Sequence, residues 1–485
     1  MEAICLVVLC LSYLLLLQKR RGKLPPGPRP LPLLGNLHQL DTKDLVKSLE
    51  ALSKKYGPVF TVYLGRKPNV ILYGYRAVRE ALVEQADNFS GRGDFAAVHS
   101  FTKGNGIAFS NGEKWKVLRR FALATLRNFG MGKRSVEERI QEEAQFLLEE
   151  IGKTKQTPFD PTLYLSRAVS NVICNIVFGN RFDYKDEKFL SLLGLLNDNF
   201  RLISSGWGTF YNIYPGLMRL LPGPHNRIFR NFEKMKRSIQ EMVRRHEETF
   251  QEDCPRDLVD CFLAMMHKEK GNPASSFTAD TLAMTTLNLF FGGTETVSTT
   301  LRYGLLILMK YPGVTERVHE EIDKVIGRNR RPAAEDRSRM PYTDAVIHEI
   351  QRFTNVIPLS LPHRVVEDTC FRGYQLPKGT GVIPVLTSVH SDPTKYEEPQ
   401  RFSPQNFLDE NNRFKANDAF MPFSAGRRIC LGEGLARMEL FIFFTTILQN
   451  FDLQPTTPPD LIDLTPSISG VGNLPPAYQL RIVPR

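Results

Sequence analysis

The chain has 485 residues and a mass of 55.2 kDa, with 42% hydrophobic and 24% charged residues and ordinary glycine and proline content, 34 and 32. That excludes a disordered tail protein, a collagen-like rod and a mucin-like stalk, and leaves a folded chain long enough for several domains of about 150 residues. Lysine and arginine exceed aspartate and glutamate by 63 to 52, a net charge of +11 that fits an anionic partner, nucleic acid or membrane.

The first element is Ala3–Leu17, fifteen residues without a charge, followed by Lys19, Arg20 and Arg21. The run is a little shorter than the roughly 18 to 20 residues of a spanning helix, and the basic side chains can snorkel to lengthen it. Glu2 precedes it and the basic cluster follows, the reverse of a cleaved secretory signal. Residues 1–22 therefore read as a retained anchor and basic stop, with the remainder on the cytoplasmic face. The cysteines, Cys5, Cys10, Cys174, Cys254, Cys261, Cys370 and Cys430, form no CxxC pair and fit a reducing compartment. Residues 23–34 carry Pro25, Pro26, Gly27, Pro28, Pro30 and Pro32, a stiff extended arm that is either a plain linker or docks through Leu31, Leu33 and Leu34.

Residues 35–485 read as a single domain. A helix is expected over Leu45–Lys55, then strands over Val59–Leu64 and Asn69–Gly74 around a turn. Helical periodicity continues over Gly112–Leu126, Ser135–Ile151, Thr162–Phe178, Ile228–Glu248, Arg256–His267 and Thr315–Ile326, and strand character returns over Phe371–Val385 and Tyr478–Val483. No repeat and no Gly/Ser linker divides the body, so several domains reduce to one mostly helical unit with a minor sheet. Phe277–Lys310 is long enough to cross it. Its centre, Gly292-Gly293-Thr294-Glu295-Thr296-Val297, puts two glycines and a carboxylate into an apolar helix, where each glycine costs about 1 kcal/mol relative to alanine. Such an inconsistency is tolerable where something flat approaches the backbone.

Common catalytic signatures are missing. His348-Glu349 is followed by Arg352 where a zinc helix needs histidine; there is no GxSxG elbow and no phosphate loop; Arg437 stands where a dinucleotide fold needs its third glycine. Phe423-Ser424-Ala425-Gly426-Arg427-Arg428-Ile429-Cys430-Leu431-Gly432 remains, a lone cysteine between glycines just ahead of a helix over Gly434–Leu448. Orphan N–H groups at that helix start favour a thiolate, and the glycines let a flat group approach.

This loop resembles the F-x-x-G-x-R-x-C-x-G of the cytochrome P450 family, with every fixed position met, and the resemblance runs over essentially the whole chain. It implies a mainly α fold with minor β: a triangular helical body with a small β-rich region, preceded by one membrane anchor. It implies Cys430 as the axial thiolate of haem b, and Arg92, Trp115, Arg119, His363 and Arg428 as its propionate partners. Glu349 and Arg352 match the E-x-x-R ion pair; Arg401 matches a third partner in P-E-R-F, where Gln400 replaces glutamate. Glu295 and Thr296 match the acid–alcohol pair of proton delivery, with Val297 and Gly292 departing from the pattern. The substrate pocket it implies draws on Phe101, Ile107, Phe109, Phe200, Phe290, Phe291, Gly292, Ile357, Leu361 and Val471, none charged, which favours small neutral lipophiles.

The activity implied is monooxygenation of such molecules by hydroxylation, epoxidation or dealkylation, with NADPH acting only through a flavoprotein reductase and cytochrome b5 as a further electron donor. The basic surface is then assigned to redox partners and membrane lipid, not nucleic acid. The proline arm, Val346–Phe353 and Pro422–Glu433 resemble mammalian microsomal enzymes of family 2, among them the lung-enriched subfamily F, which implies the endoplasmic reticulum membrane and naphthalene-, styrene- or alkylindole-like substrates. Two other accounts share the loop: a haem-thiolate isomerase or dehydratase that needs no reductase, and a noncatalytic haem carrier.

Overall fold

The computed structural model describes residues 24–41, 44–128 and 134–485. The expected anchor, with Cys5 and Cys10, lies outside them. Among the described residues no helix is long and apolar enough to cross a membrane. The described chain is mainly helical with small sheets, the expected fold class, and it forms two compact units.

The first unit comprises the chain up to Asp94, Leu359–Val389 and Ala425–Arg428. Its five-stranded sheet has the order β1-β2-β7-β4-β3, from β1 (Val59–Leu64), β2 (Lys67–Tyr73), β3 (Gly91–Arg92), β4 (His363–Arg364) and β7 (Gly381–Val385). β5 (Thr369–Phe371) and β6 (Tyr374–Leu376) form a separate hairpin. Strand β1 lies where the alternation of apolar residues puts it, and β2 starts two residues early because Lys67 and Pro68 pair with Leu64 and Tyr63. β2 and β7 are parallel, with Ile71 opposite Ile383, although some three hundred residues separate them in the chain. Helix α1 (Leu45–Tyr56) is capped by the Asp44 side chain and lays Leu49 on the sheet, where Phe60, Val62, Ile71 and Val385 form the core. The proline arm docks: Thr61 donates its N–H to the Pro26 carbonyl and its hydroxyl to the Pro25 carbonyl, both at 2.8 Å.

The second unit comprises Phe95–Pro358, His390–Ser424 and Ile429–Arg485. Its long helices are α2 (Gly112–Asn128), α3 (Arg134–Gly152), α4 (Thr162–Phe178), α5 (Glu187–Ser204), α6 (His225–Glu248), α7 (Leu258–Lys268), α8 (Ala279–Lys310), α9 (Pro312–Val325), α10 (Pro341–Thr354) and α11 (Glu433–Asn450). Thr278 caps α8, Asp257 caps α7 and Asp186 caps α5, each accepting a backbone N–H of the first turn. Helix α8 is the central rod, packed most extensively on α4 and also on α10 and α11. The C-terminal β8 (Phe451–Pro455) and β11 (Leu480–Pro484) pair antiparallel, with Leu453 opposite Ile482. Between them β9 (Ile468–Ser469) and β10 (Asn473–Leu474) make a second short ribbon.

Candidate active site

Helix α8 is apolar on almost all sides, which buries it, yet accessibility returns at its middle: Leu289, Phe291, Gly293 and Thr296 are partly exposed and Gly292 is exposed. Leu289, Gly292 and Thr296 follow i, i+3, i+7, one stripe of the helix. Exposure at the centre of a core helix marks a surface facing an internal space. The two glycines divide the work. A Cβ on Gly292 would meet nothing within 4 Å, whereas one on Gly293 would stand 2.4 Å from Ile173 Cδ1 of α4. Gly292 keeps the space open; Gly293 lets two helices touch. The Thr296 hydroxyl donates to the Gly292 carbonyl at 2.7 Å and keeps its lone pairs as acceptors.

Glu295, one position earlier, is 2% exposed, and its Oε1 has no hydrogen-bond partner. Burial pushes its carboxyl up to about 8, against the opposing charge of Arg302, so it carries a proton at neutral pH.

Cys430 sits just before α11, whose cap is Gly432. Its N–H donates to the Phe423 carbonyl at 2.9 Å, which closes the loop. The side chain is exposed, yet desolvation pushes its thiol above the ordinary range, so the sulfur faces an enclosed space rather than bulk water. The Gly432 N–H and Arg119 act the other way and favour thiolate, and Glu433 adds to the rise. Desolvation thus opposes the thiolate that the helix start and Arg119 favour. Gly426 has φ 72°, and a Cβ there would lie 1.6 Å from the Leu82 carbonyl oxygen, so this glycine serves packing, while Gly432 faces open space.

Two groups of cationic or donor side chains accompany these residues. In the second unit Trp115 is buried on α2, and Arg119, four residues on, donates to the Ile429 carbonyl at 2.8 Å within reach of the Cys430 charge. In the first unit Arg92 donates to the Leu361 carbonyl at 3.2 Å, Arg428 donates to the Ser90 carbonyl at 2.7 Å, and both are buried. His363 lies beside them, with Nδ1 2.7 Å from the Phe89 carbonyl. A carbonyl only accepts, so Nδ1 carries the proton, and the buried Nε2 is left without a partner. Burial and the charges of Arg92 and Arg428 lower this imidazole to about 3 against the pull of Phe89, so it is neutral. To donate to a carboxylate it must first take up a proton.

Glu349 and Arg352 are 0% and 1% exposed and bonded in a fork, Nε to Oε2 and Nη2 to Oε1, each at 2.7 Å. Nη1 donates to the carbonyls of His390 and Pro399 and Nη2 also to that of Arg401, so all five guanidinium protons have acceptors. Ser403 N–H and the Asn406 amide complete the carboxylate. Arg401 departs from the expected side-chain network: its guanidinium is on the surface, 3.2 Å from Glu398, and only its carbonyl joins the pair. Gln400 stands where the pattern has glutamate, and Glu398 is the carboxylate that pairs with Arg401.

The pocket residues differ in accessibility. Phe291, Ile357, Leu361 and Val471 are partly exposed, as are Phe101 and Phe109, which stack on Phe232 and Phe95. Ile107 and Phe200 are nearly buried, and Phe200 meets Phe291 edge-on with ring centres 5.9 Å apart. Phe290 has no accessible surface and belongs to the core. Sequence reasoning missed Asn406, whose role has no motif to betray it.

These donors fit a haem. A thiol facing an enclosed space suits iron, the buried guanidinium groups of Arg92 and Arg428 suit a propionate, and Gly292 leaves room for a flat ring. A family model described as cytochrome P450 matches residues 25–482. The chain is 60% identical over 460 residues to cytochrome P450 2F2 of Mus musculus, covering 95% of this chain and 94% of that protein. It is 58% identical over 485 residues to cytochrome P450 2F1 of Homo sapiens, covering 100% and 99%. It is 56% identical over 484 residues to cytochrome P450 2G1 of Oryctolagus cuniculus, covering 99% and 98%.

Proposed function

This chain belongs to the cytochrome P450 family and is one of its monooxygenases, and on that premise we propose that it inserts one atom of O2 into small lipophilic, often aromatic, molecules at a haem b held by Cys430. The observation that carries the reading is the Cys430 sulfur, exposed to an enclosed space at the end of a fully matched ligand loop. Bound there, haem supplies oxygen activation and oxygen-atom transfer.

The protein positions and protects. Arg92, Arg428, Trp115 and Arg119 would hold the propionates, and His363 would join them on gaining a proton. Thr296, with free lone pairs on its hydroxyl, holds a water for proton delivery, and Glu295, protonated at neutral pH, supplies the proton. Phe291, Ile357, Leu361 and Val471 offer apolar surface to substrate, and Gly292 leaves it space. The absence of a nucleotide-binding motif supports electrons from NADPH through a flavoprotein reductase, with cytochrome b5 as a second donor. The subfamily of the relatives supports naphthalene-, styrene- or alkylindole-like substrates, and the apolar amino terminus supports the endoplasmic reticulum membrane.

The test is a carbon monoxide difference spectrum of the reduced protein, followed by NADPH-dependent turnover with reductase. The red-shifted thiolate band and product are expected. A normal band from Cys430→Ser would overturn the ligand assignment, and a normal wild-type band without NADPH-dependent product would favour the isomerase and haem-carrier accounts. Thr296→Ala is expected to divert electrons to hydrogen peroxide; coupling unchanged across substrates would remove Thr296 from proton delivery.

A further inference from the structure

Besides the hydroxyls of Thr285, Thr286 and Thr294, the buried polar atoms of α8 without a hydrogen-bond partner include Oε1 of Glu295, Nε of Arg302 and the hydroxyl of Tyr303, the last three in its C-terminal half. They are an acceptor or acid, a donor, and a group that is both, and leaving them dry would cost each its hydration. They share one face of the helix, since 295, 302, 303 and 306 follow i, i+7, i+8, i+11, with Arg302 about 10 Å and Leu306 about 16 Å along the axis from Glu295. Long side chains on a helix lean toward its N-terminus, so Arg302 reaches back toward Glu295, which feels its charge.

That face runs to a surface cleft of about 510 Å³ whose lining includes Leu306, Tyr478, Asp160 and Asp463. The Tyr478 hydroxyl donates to the Arg302 carbonyl at 2.7 Å, so the cleft wall touches the turn that carries Arg302. Tyr303 feels both Arg302 and Asp463, and Tyr478 feels both Arg302 and Asp160. Asp463 accepts the Thr465 N–H at 2.9 Å and stays ionised at the mouth, its carboxyl held below the ordinary range by that bond, the Thr465 hydroxyl and Lys310.

We propose that this cleft is the water entry for the buried acid: protons reach Glu295 along the α8 face of Tyr303 and Arg302, with Arg302 as the positioning residue. Arg302 does not pass the proton, because a guanidinium stays charged; it orders water against Glu295 Oε1. After Glu295 releases its proton, a hydrated proton from the cleft breaks an O–H bond as the carboxyl O–H re-forms, and the Tyr303 hydroxyl accepts on one side while it donates on the other. No electrons move in this step. The proposal rests on the reading of Glu295 as the proton donor.

The experiment is infrared spectroscopy of the holoprotein, with the Glu295 carboxyl band assigned by its loss in Glu295→Gln. Arg302→Gln should raise the midpoint of that band by about one pH unit and Arg302→Lys should restore it. Filling the cleft with Ala477→Trp, and removing the hydroxyl with Tyr303→Phe, should slow hydrogen–deuterium exchange of the band, with a normal carbon monoxide spectrum showing that each variant folds. An unmoved midpoint in Arg302→Gln, or exchange as fast in Ala477→Trp as in wild type, overturns the proposal. Neither readout depends on turnover, so failure of Glu295 as donor, seen as unchanged coupling in Thr296→Ala and Glu295→Gln, is a separate result.

Discussion

Glu295 couples the chemistry of one residue to the stability of the fold. Its carboxyl keeps a proton up to about 8 in the folded protein, while the unfolded chain releases it near 4.5. Between those values the folded state binds more protons, so this group's contribution is fully present at low pH and is lost as pH rises through 8. Urea denaturation of the holoprotein at pH 5 and pH 8 should show wild type losing on the order of 3 kcal/mol more than Glu295→Gln. Equal losses would mean that Glu295 is ionised in the folded state. The loop and the long helix were legible in sequence because their spacing is the chemistry. The division of the glycines was not, because Gly292 and Gly432 face open space while Gly293 and Gly426 face atoms far away in the chain. The neutral state of His363 was equally hidden, since it depends on burial and on the charges of Arg92 and Arg428, which the fold brings to it.

At the scale of elements, the packing of α8 on α4 turns on Gly293 and Ile173. A methyl at position 293 collides with Ile173 Cδ1, so Gly293→Ala should cost about 1–3 kcal/mol by overpacking. Adding Ile173→Ala should recover part of that loss, and an additive double mutant, measured by urea denaturation, would show that the contact is not the cause. Glu349 and Arg352 tie α10 to the segment around Pro399–Ser403. Arg352→Met leaves a buried carboxylate without its cation and should cost about 3–5 kcal/mol. The expected reading is loss of haem incorporation on expression; full incorporation would show that the pair is dispensable. Helix α4 coincides with its expected bounds, for its apolar residues recur as far as Phe178, and Gly179, with a left-handed φ of 70°, ends it. Helix α5 was overlooked although its signals were present: Asp186 caps it, and Phe189, Leu192, Leu193, Leu196 and Phe200 recur at helical spacing on its buried face.

For the molecule as a whole, sequence periodicity reports neighbours along the chain and nothing else. The described chain forms two compact units, the first assembled from three stretches that no local pattern joins. The parallel pairing of β2 with β7 is the plainest case, since each strand is legible alone and their adjacency is not. The net charge of +11 belongs to this scale too: association with an acidic reductase should weaken as salt rises, and turnover with excess reductase should lose less than turnover at limiting reductase. The docked arm bears on how the protein keeps to itself. Strand β1 ends the sheet, and the carbonyls of Pro25 and Pro26 occupy the Thr61 groups that would otherwise stand ready to pair with another chain. Proline cannot donate in return, so the arm seals that margin without offering a new one. A chain trimmed to residue 24 should stay monomeric by light scattering; one trimmed to residue 36 should self-associate through the bared strand. The proline segment is thus a guard against strand exchange between copies as well as a spacer.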